Sequence, residues 1–309
     1  MDKDTSIFRQ IALGTVPRAL GFGDRAPGSP TYGCFDRAYW HYKVTDFACA
    51  NFQEAAYLLA LLYAKVSGTR YQKKEPLYRW AEAAVKFWLS IRNSDGSLNE
   101  AYPFERSFCA TAFTAAAVTE SVLTIGLKYA NEFIKSAEWL SGNDNFSVSN
   151  QTAAAAVALY NIYTLTGQER FKSASGRKID HLLKRQDPDG FFPEYGGKDA
   201  GYLSLTIWYM HKFYLKSRES PVKDAVAKAV LSLERELNSR GSIDPGKGSR
   251  NTQYIYPFPS ICLSRKIRDY YLAGLGEEAV ITPQWLDDRY CLHLLINYLE
   301  AGLEEGQEC

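Results

Sequence analysis

The sequence predicts an all-α protein whose helical hairpins close into a ring, and three observations point there. First, a turn recurs. Asp95-Gly96 and Asp189-Gly190 are each followed by an apolar residue two places after the glycine (Leu98, Phe192) and a glutamate four places after it (Glu100, Glu194). Fainter versions lie at Asn145 and Gly241, so the aligned positions stand 49, 45 and 51 residues apart, the spacing of a repeated supersecondary unit. Second, the helical segments alternate in character. One kind is apolar nearly all round and rich in small residues, as in 109–118 and 152–159; the other is amphipathic, as in 222–231. A helix apolar on every side is buried and an amphipathic one lies at a surface. Third, no stretch alternates as a strand would. Two concentric layers follow: an α/α toroid of about five to six hairpins, with an open solenoid as the alternative.

Taken in order, residues 1–46 read as an N-terminal aromatic extension packed on a toroid that spans 47–309. A short helix is expected over 6–13, then a Gly- and Pro-rich loop over 14–33. Residues 34–47 crowd Tyr39, Trp40, His41 and Tyr42 together. That run is too apolar to leave in water and is expected to fold over the mouth of the ring. Helices follow at about 50–65, which stops at Ser67-Gly68, and at 75–91. The next pairs are 106–125 with 127–140, 149–165 with 168–184, and 201–217 with 221–238, where Pro221 suits a helix start. A fifth pair begins near Asn251, interrupted by Pro257 and Pro259, and resumes to Tyr271. A last helix covers 286–303.

Composition narrows the function classes. The 309 residues are 46% hydrophobic and 23% charged, as in an ordinary globular protein. A net charge of +1 gives no global field to recruit nucleic acid or an anionic membrane. The N-terminus leads into no long apolar run, so neither a signal peptide nor a membrane span is expected, and a cytoplasmic location with reduced thiols follows. The six cysteines form no CxxC or CxxxC pair, which argues against a zinc ribbon. The stretch 287–293 holds Asp, Cys and His, all possible zinc ligands, but at helical spacing His293 points away from Asp288 and Cys291. No metal and no cofactor is expected.

The period, the two kinds of helix and the turn Gln186-x-x-x-Gly190-x-Phe192 resemble the α/α toroid proteins. These include triterpene cyclases, protein prenyltransferases, and the toroids of polysaccharide lyases and of sugar hydrolases or epimerases. The resemblance covers about 47–303 and implies architecture more than chemistry. The Asp-x-Asp-Asp pattern of the cyclases is absent, since Trp285 stands at its first Asp position.

In such a ring the turns before the inner helices gather at one mouth. Polar residues there include Asn51, Gln53, Glu54, Glu100, Glu105, Arg106, Asn150, Gln151, Glu194, Tyr195, Arg250, Asn251, Gln253, Tyr254, Asp287, Asp288 and Arg289. Helix capping accounts for many of them. It does not account for Arg106, Arg250 and Arg289, since a cation at a helix N-terminus opposes the macrodipole. Amides, carboxylates, guanidinium groups and phenols together suit a hydroxyl-rich, neutral or acidic small molecule or oligosaccharide. Substrate binding is therefore assigned to Gln53, Glu100, Arg106, Asn150, Gln151, Glu194, Tyr195, Arg250, Asn251 and Arg289, with Trp40 as a stacking ring. Cleavage of a glycosidic bond would pair Asp287 or Asp288 with Glu105, Glu100 or Glu194. A lyase would need a base, Tyr254 or His41. The expected activity is that of a carbohydrate-active hydrolase, lyase or epimerase. An isoprenoid cyclase or transferase and a non-catalytic glycan-binding toroid are the alternatives.

Overall fold

The computed structural model describes residues 6–304. The helices in chain order are α1 (Ile7–Leu20), α2 (Arg37–Trp40), α3 (Ala55–Ala64, entered through a 3-10 turn at Ala50–Glu54), α4 (Glu75–Ser90), α5 (Phe108–Ile125), α6 (Ile134–Gly142), α7 (Ser149–Thr166), α8 (Glu169–Arg185), α9 (Ala200–Ser217), α10 (Ser220–Glu236), α11 (Ser260–Leu263), α12 (Arg265–Gly276) and α13 (Asp288–Glu304). Among the described residues there is no strand, only isolated bridges.

The inner layer runs α3, α5, α7, α9, then α11, then α13, which returns to α3 and closes the ring. Its helices are buried on nearly every side: α5 is buried without interruption from Ala110 to Val122 and α7 from Ser149 to Leu159. Alanine dominates these stretches because small side chains let neighbouring backbones approach closely. α5 is long and apolar enough to cross a membrane by composition alone, and it packs between α3 and α7. The outer helices α4, α8 and α10 bury one stripe each, such as Val222, Ala225, Val226, Ala229, Val230 and Leu233 of α10.

The recurring turn has a packing reason. Gly96 and Gly190 adopt φ of 96° and 97°. A Cβ at Gly96 would meet the Lys135 carbonyl of α6 at 2.4 Å, and one at Gly190 the Lys228 carbonyl of α10 at 2.6 Å. Each turn thus lies flat on the backbone of the outer helix of the following hairpin. Gly33 lies the same way on α4 and Gly241 on α12. Side-chain amides fasten the contact: Gln186 Nε2 donates to the Gly190 and Ala225 carbonyls at 3.1 and 2.9 Å, and Gln53 Nε2 to those of Gly33 and Ala84 at 2.9 and 3.0 Å.

Two elements differ from the sequence expectation. α1 extends to Leu20, through Gly14 and Pro17, instead of ending at Leu13. It packs along α13 and buries Phe8, Ala12, Thr15, Val16 and Ala19 at helical spacing, so tertiary burial overrides two local breakers. The N-terminal segment therefore supplies the outer-layer helix beside the last inner one. The expected helix from Asn251 is also missing. Pro257 and Pro259 forbid it, and the inner position is filled by extended chain leading to α11. Side chains satisfy that chain's backbone: Asn297, fully buried, bonds both the N–H and the carbonyl of Phe258 at 3.0 and 2.9 Å, and Ser204 Oγ accepts from the Tyr256 N–H at 2.9 Å. The missing helix leaves room inside the ring.

Candidate functional site

That room is a cavity of about 460 Å³ at the mouth where the inner helices begin. The extended segment supplies Thr252, Gln253, Tyr254 and Tyr256 to one wall. α7 adds Asn150 and Gln151, and α9 adds Tyr202 and Leu205. The facing wall holds Asn51, Glu54, Glu100 and Cys109, then Arg289 and Tyr290 from α13. Phe113, Tyr256 and His293 make the floor. The floor is a stack of rings: His293 lies 5.4 Å from Phe113, 5.0 Å from Tyr256 and 5.2 Å from Trp208. Under it Glu300 gathers Lys212, the Tyr57 hydroxyl at 2.7 Å and the Trp208 indole N–H at 2.5 Å.

Two carboxyl groups face the cavity in different settings. Glu100 forms an ion pair with Arg289 and accepts from Ser107 Oγ at 2.9 Å. With its amide oxygen turned to Arg289, Asn51 accepts from Nη2 at 2.7 Å and Nε at 3.2 Å. Glu54 is 5% exposed and makes no hydrogen bond among the described residues; the nearest partner is His293 Nε2, at 3.8 Å. Burial pushes the Glu54 carboxyl up to about 8, against a smaller downward pull from Arg289. Burial pushes His293 down to about 3, so its ring is neutral and pairs with the Tyr209 and Tyr256 hydroxyls at 3.4 and 3.3 Å, accepting from one and donating to the other. A neutral acid and an ion-paired carboxylate thus share one pocket.

The ring is an α/α toroid. Compared with solved structures, the chain is similar in fold to the crystal structure of a family 76 glycoside hydrolase from a bovine Bacteroides thetaiotaomicron strain, with a TM-score of 0.64, 11% sequence identity, and coverage of 97% of this chain and 78% of that one. No protein-family model and no curated protein sequence matches.

Of the residues singled out from sequence, the cavity brings together Glu100, Asn150, Gln151, Tyr195, Arg250, Asn251, Tyr254 and Arg289. The others lie elsewhere. Asp288 receives Arg37 Nε at 2.8 Å and Arg18 at 3.4 Å, and so ties the N-terminal segment to α13. Asp287 caps α13 by accepting the Tyr290 N–H at 3.0 Å. Glu105 accepts the N–H groups of Glu100, Ala101 and Tyr102, and Arg106 turns outward to Asp95 at 3.2 Å. Gln53 fastens a turn, as described above. Glu194 is fully buried and accepts the Asn150 N–H and Nδ2 and the Thr206 hydroxyl at 3.0–3.1 Å, joining α7 to α9.

The 34–47 segment reaches the start of α13 through Arg37 and Asp288, but none of its residues lines the cavity. Asp36 caps α2 and accepts the Cys49 N–H at 2.9 Å, while Trp40 donates to the Phe22 carbonyl at 2.8 Å. Tyr39 and Trp40 pack against Cys34, Ala48, Phe87 and Ile91. His41 is exposed between Trp40 and Tyr42, and none of these residues lines the cavity. The run is spent on wedging the segment beside α4, so neither His41 as base nor Trp40 as stacking ring has a position from which to act. Tyr254 does line the cavity, but burial raises its hydroxyl well above the usual phenol range, which disfavours it as a base. Among the described residues no cluster of His, Cys, Asp and Glu could hold a metal ion.

Sequence reasoning placed Glu54 at the mouth without a role and weighed His293 only as a zinc ligand, so the part each plays in the site was missed. Glu54 directly precedes the apolar run that opens at Ala55-Ala56, and His293 interrupts one between Leu292 and Leu294. In a helix buried on all sides, such an interruption was the available signal.

Proposed function

We propose that this protein is a glycan-acting enzyme that cleaves glycosidic bonds in the mouth cavity. Glu54 is its proton donor and Glu100 its second carboxylate. The observation that carries the reading is Glu54: a buried carboxyl, held neutral, that faces a cavity with no hydrogen-bond partner of its own among the described residues. A neutral carboxylic acid beside an ion-paired carboxylate is the division of labour that glycoside hydrolysis needs. Glu54 would protonate the departing glycosidic oxygen as the bond to the anomeric carbon breaks. Glu100, aimed by Arg289 and Ser107, would attack that carbon or take a proton from the attacking water. Asn51, Asn150, Gln151 and Gln253 offer amides to sugar hydroxyls, and the tyrosines offer ring faces. The toroid fold shared with a family 76 glycoside hydrolase agrees with this chemistry and does not by itself assign it.

The reading is tested by incubating the protein with linear glucans, mannans, xylans and polyuronates and measuring reducing ends. Glu54→Gln and Glu100→Gln should each lower the rate on the cleaved member by about 10²–10⁴-fold, with melting temperature retained. Proton NMR of the first product gives the anomeric configuration and so decides whether Glu100 attacks or activates water. Cleavage undiminished in both variants would remove the proposal.

A further inference from the structure

The loop between Leu98 and Ser107 is fixed, strained and turned outward. Its base is an antiparallel bridge between those two residues, with the Ser107 N–H donating to the Leu98 carbonyl at 2.7 Å. Its interior is filled by the Glu105 carboxylate, which accepts three successive N–H groups at 2.9, 2.8 and 3.3 Å. Asn99 Oδ1 accepts the Arg106 N–H at 3.2 Å, and the Arg106 guanidinium is held by Asp95. Even so, Phe104 and Arg106 adopt φ of 59° and 56°, in the left-handed region that bulky side chains avoid. Tyr102 and Phe104 are 71% and 82% exposed. Strain held in place by so many bonds, in order to set two rings in water, is not explained by packing. Glu100 of this loop is a wall of the cavity, and the two rings follow it by two and four residues, outside the lining and within a few residues' reach of it.

We propose that Tyr102 and Phe104 form a stacking platform for sugar units of a glycan that extends beyond the cavity, so that the substrate is a chain and not a single sugar. This rests on the glycan reading of the cavity. A space of about 460 Å³ encloses a ligand of small-molecule size, and a longer chain has to leave across the rim. The loop's own charges are engaged, Glu105 by backbone and Arg106 by Asp95, so its tip offers apolar ring faces, which match the C–H face of a pyranose. Two side chains are far too little for self-association, which needs about 800 Å² from each partner.

The test is calorimetric titration with glucan, mannan, xylan and polyuronate oligosaccharides of two and of eight units. In the series that binds, the eight-unit member should bind about tenfold tighter than the two-unit member, a free-energy difference of about 1.4 kcal/mol. The double variant Tyr102→Ser with Phe104→Ser should lose that advantage and leave two-unit binding unchanged, and Tyr102→Trp with Phe104→Trp should keep it. Equal loss at both lengths, or no loss, overturns the platform. Binding without a length advantage in the unaltered protein overturns the platform and spares the cavity reading. No binding of any member overturns both. Self-association that disappears in the serine variant assigns the rings to a second copy of the chain and overturns the proposal.

Discussion

Glu54 and Glu194 make an instructive pair. Both stand near the start of an inner element, both are buried, and burial pushes both up to about 8. Glu194 is surrounded by donors: the Asn150 N–H and side-chain amide and the Thr206 hydroxyl. Glu54 has none among the described residues, and its carboxyl faces the cavity. Burial therefore does not separate a structural carboxyl from a chemical one. Hydrogen-bond satisfaction does, because a group left without partners costs stability that only another role explains.

The sharpest way to break this comparison is to alter each member and read both rate and stability. Glu54→Gln should lower glycan cleavage by about 10²–10⁴-fold and leave the melting temperature at pH 8 unchanged or higher, because the amide has no proton to lose. Glu194→Ala strands three donors between α7 and α9 and should cost about 3–5 kcal/mol, lowering the melting temperature by about 10 °C. Its residual activity should follow the folded fraction. If Glu194→Ala melts normally while Glu54→Ala unfolds, the two roles are exchanged.

The likeness of the pair gives a pH prediction. Each carboxyl titrates higher in the folded protein than the 4.5 of an ordinary glutamate, so the folded state holds these protons more tightly than the unfolded one. Their stabilisation is complete below about pH 4.5 and is lost as the pH rises toward about 8. His293 and His211 titrate lower than the 6.5 of an ordinary histidine and offset that loss up to about pH 6.5. Calorimetric melting temperatures should therefore fall between about pH 6.5 and pH 8, and Glu54→Gln should flatten part of that slope. Asp187 behaves oppositely: burial raises it, but Lys198 and local N–H groups outweigh that and hold it below 3.8, so its contribution is lost only on acidification below this window. A melting temperature that rises from pH 6.5 to pH 8 would show that Glu54 and Glu194 are ionised in the folded protein.

The ring was legible in the sequence because inner and outer helices carry different burial patterns, and burial along a helix is a one-dimensional signal. The turn repeat was legible because Gly96 and Gly190 each need a positive φ against a neighbouring backbone. The mouth side of the site followed from helix starts for Asn150, Gln151 and Arg289, whereas Arg250 reaches the same cavity from non-helical chain. Depth was not legible. Glu54 and Gln53 are adjacent, yet one faces the cavity and the other a turn on α4, and only the direction of each side chain separates them. Asp288 looked like an acid at the mouth because its partners, Arg18 and Arg37, are some 250 residues or more away in sequence. The role of α1 was hidden for the same reason, since its partner α13 is at the other end of the chain.

The smallest expected effect concerns the two arginines of the cavity, which differ as the two glutamates do. Arg289 is matched by Glu100 and by the Asn51 oxygen. Arg250 is exposed at the rim, 4.4 Å over the Tyr195 ring and bonded to the Tyr202 side chain. No carboxylate lies within ion-pair distance of it among the described residues. Its loop is pinned, because Asp199 Oδ2 accepts the Arg250 N–H at 3.1 Å, so the guanidinium is presented in one place. With Glu54 and His293 neutral and Glu100 offset by Arg289, Arg250 leaves the cavity with an unbalanced positive charge. A glycan bearing a carboxylate would balance it. Arg250→Lys keeps the charge and loses the planar fork, so affinity for a polyuronate oligosaccharide should fall about fivefold, a modest loss for an exposed pair. Neutral oligosaccharides should bind as before, and the melting temperature should stay within about 1 °C, since surface substitutions of this kind change stability little. Equal weakening toward neutral and acidic chains would mean that Arg250 serves by bracing Tyr195, and the preference for an acidic substrate would lose its basis.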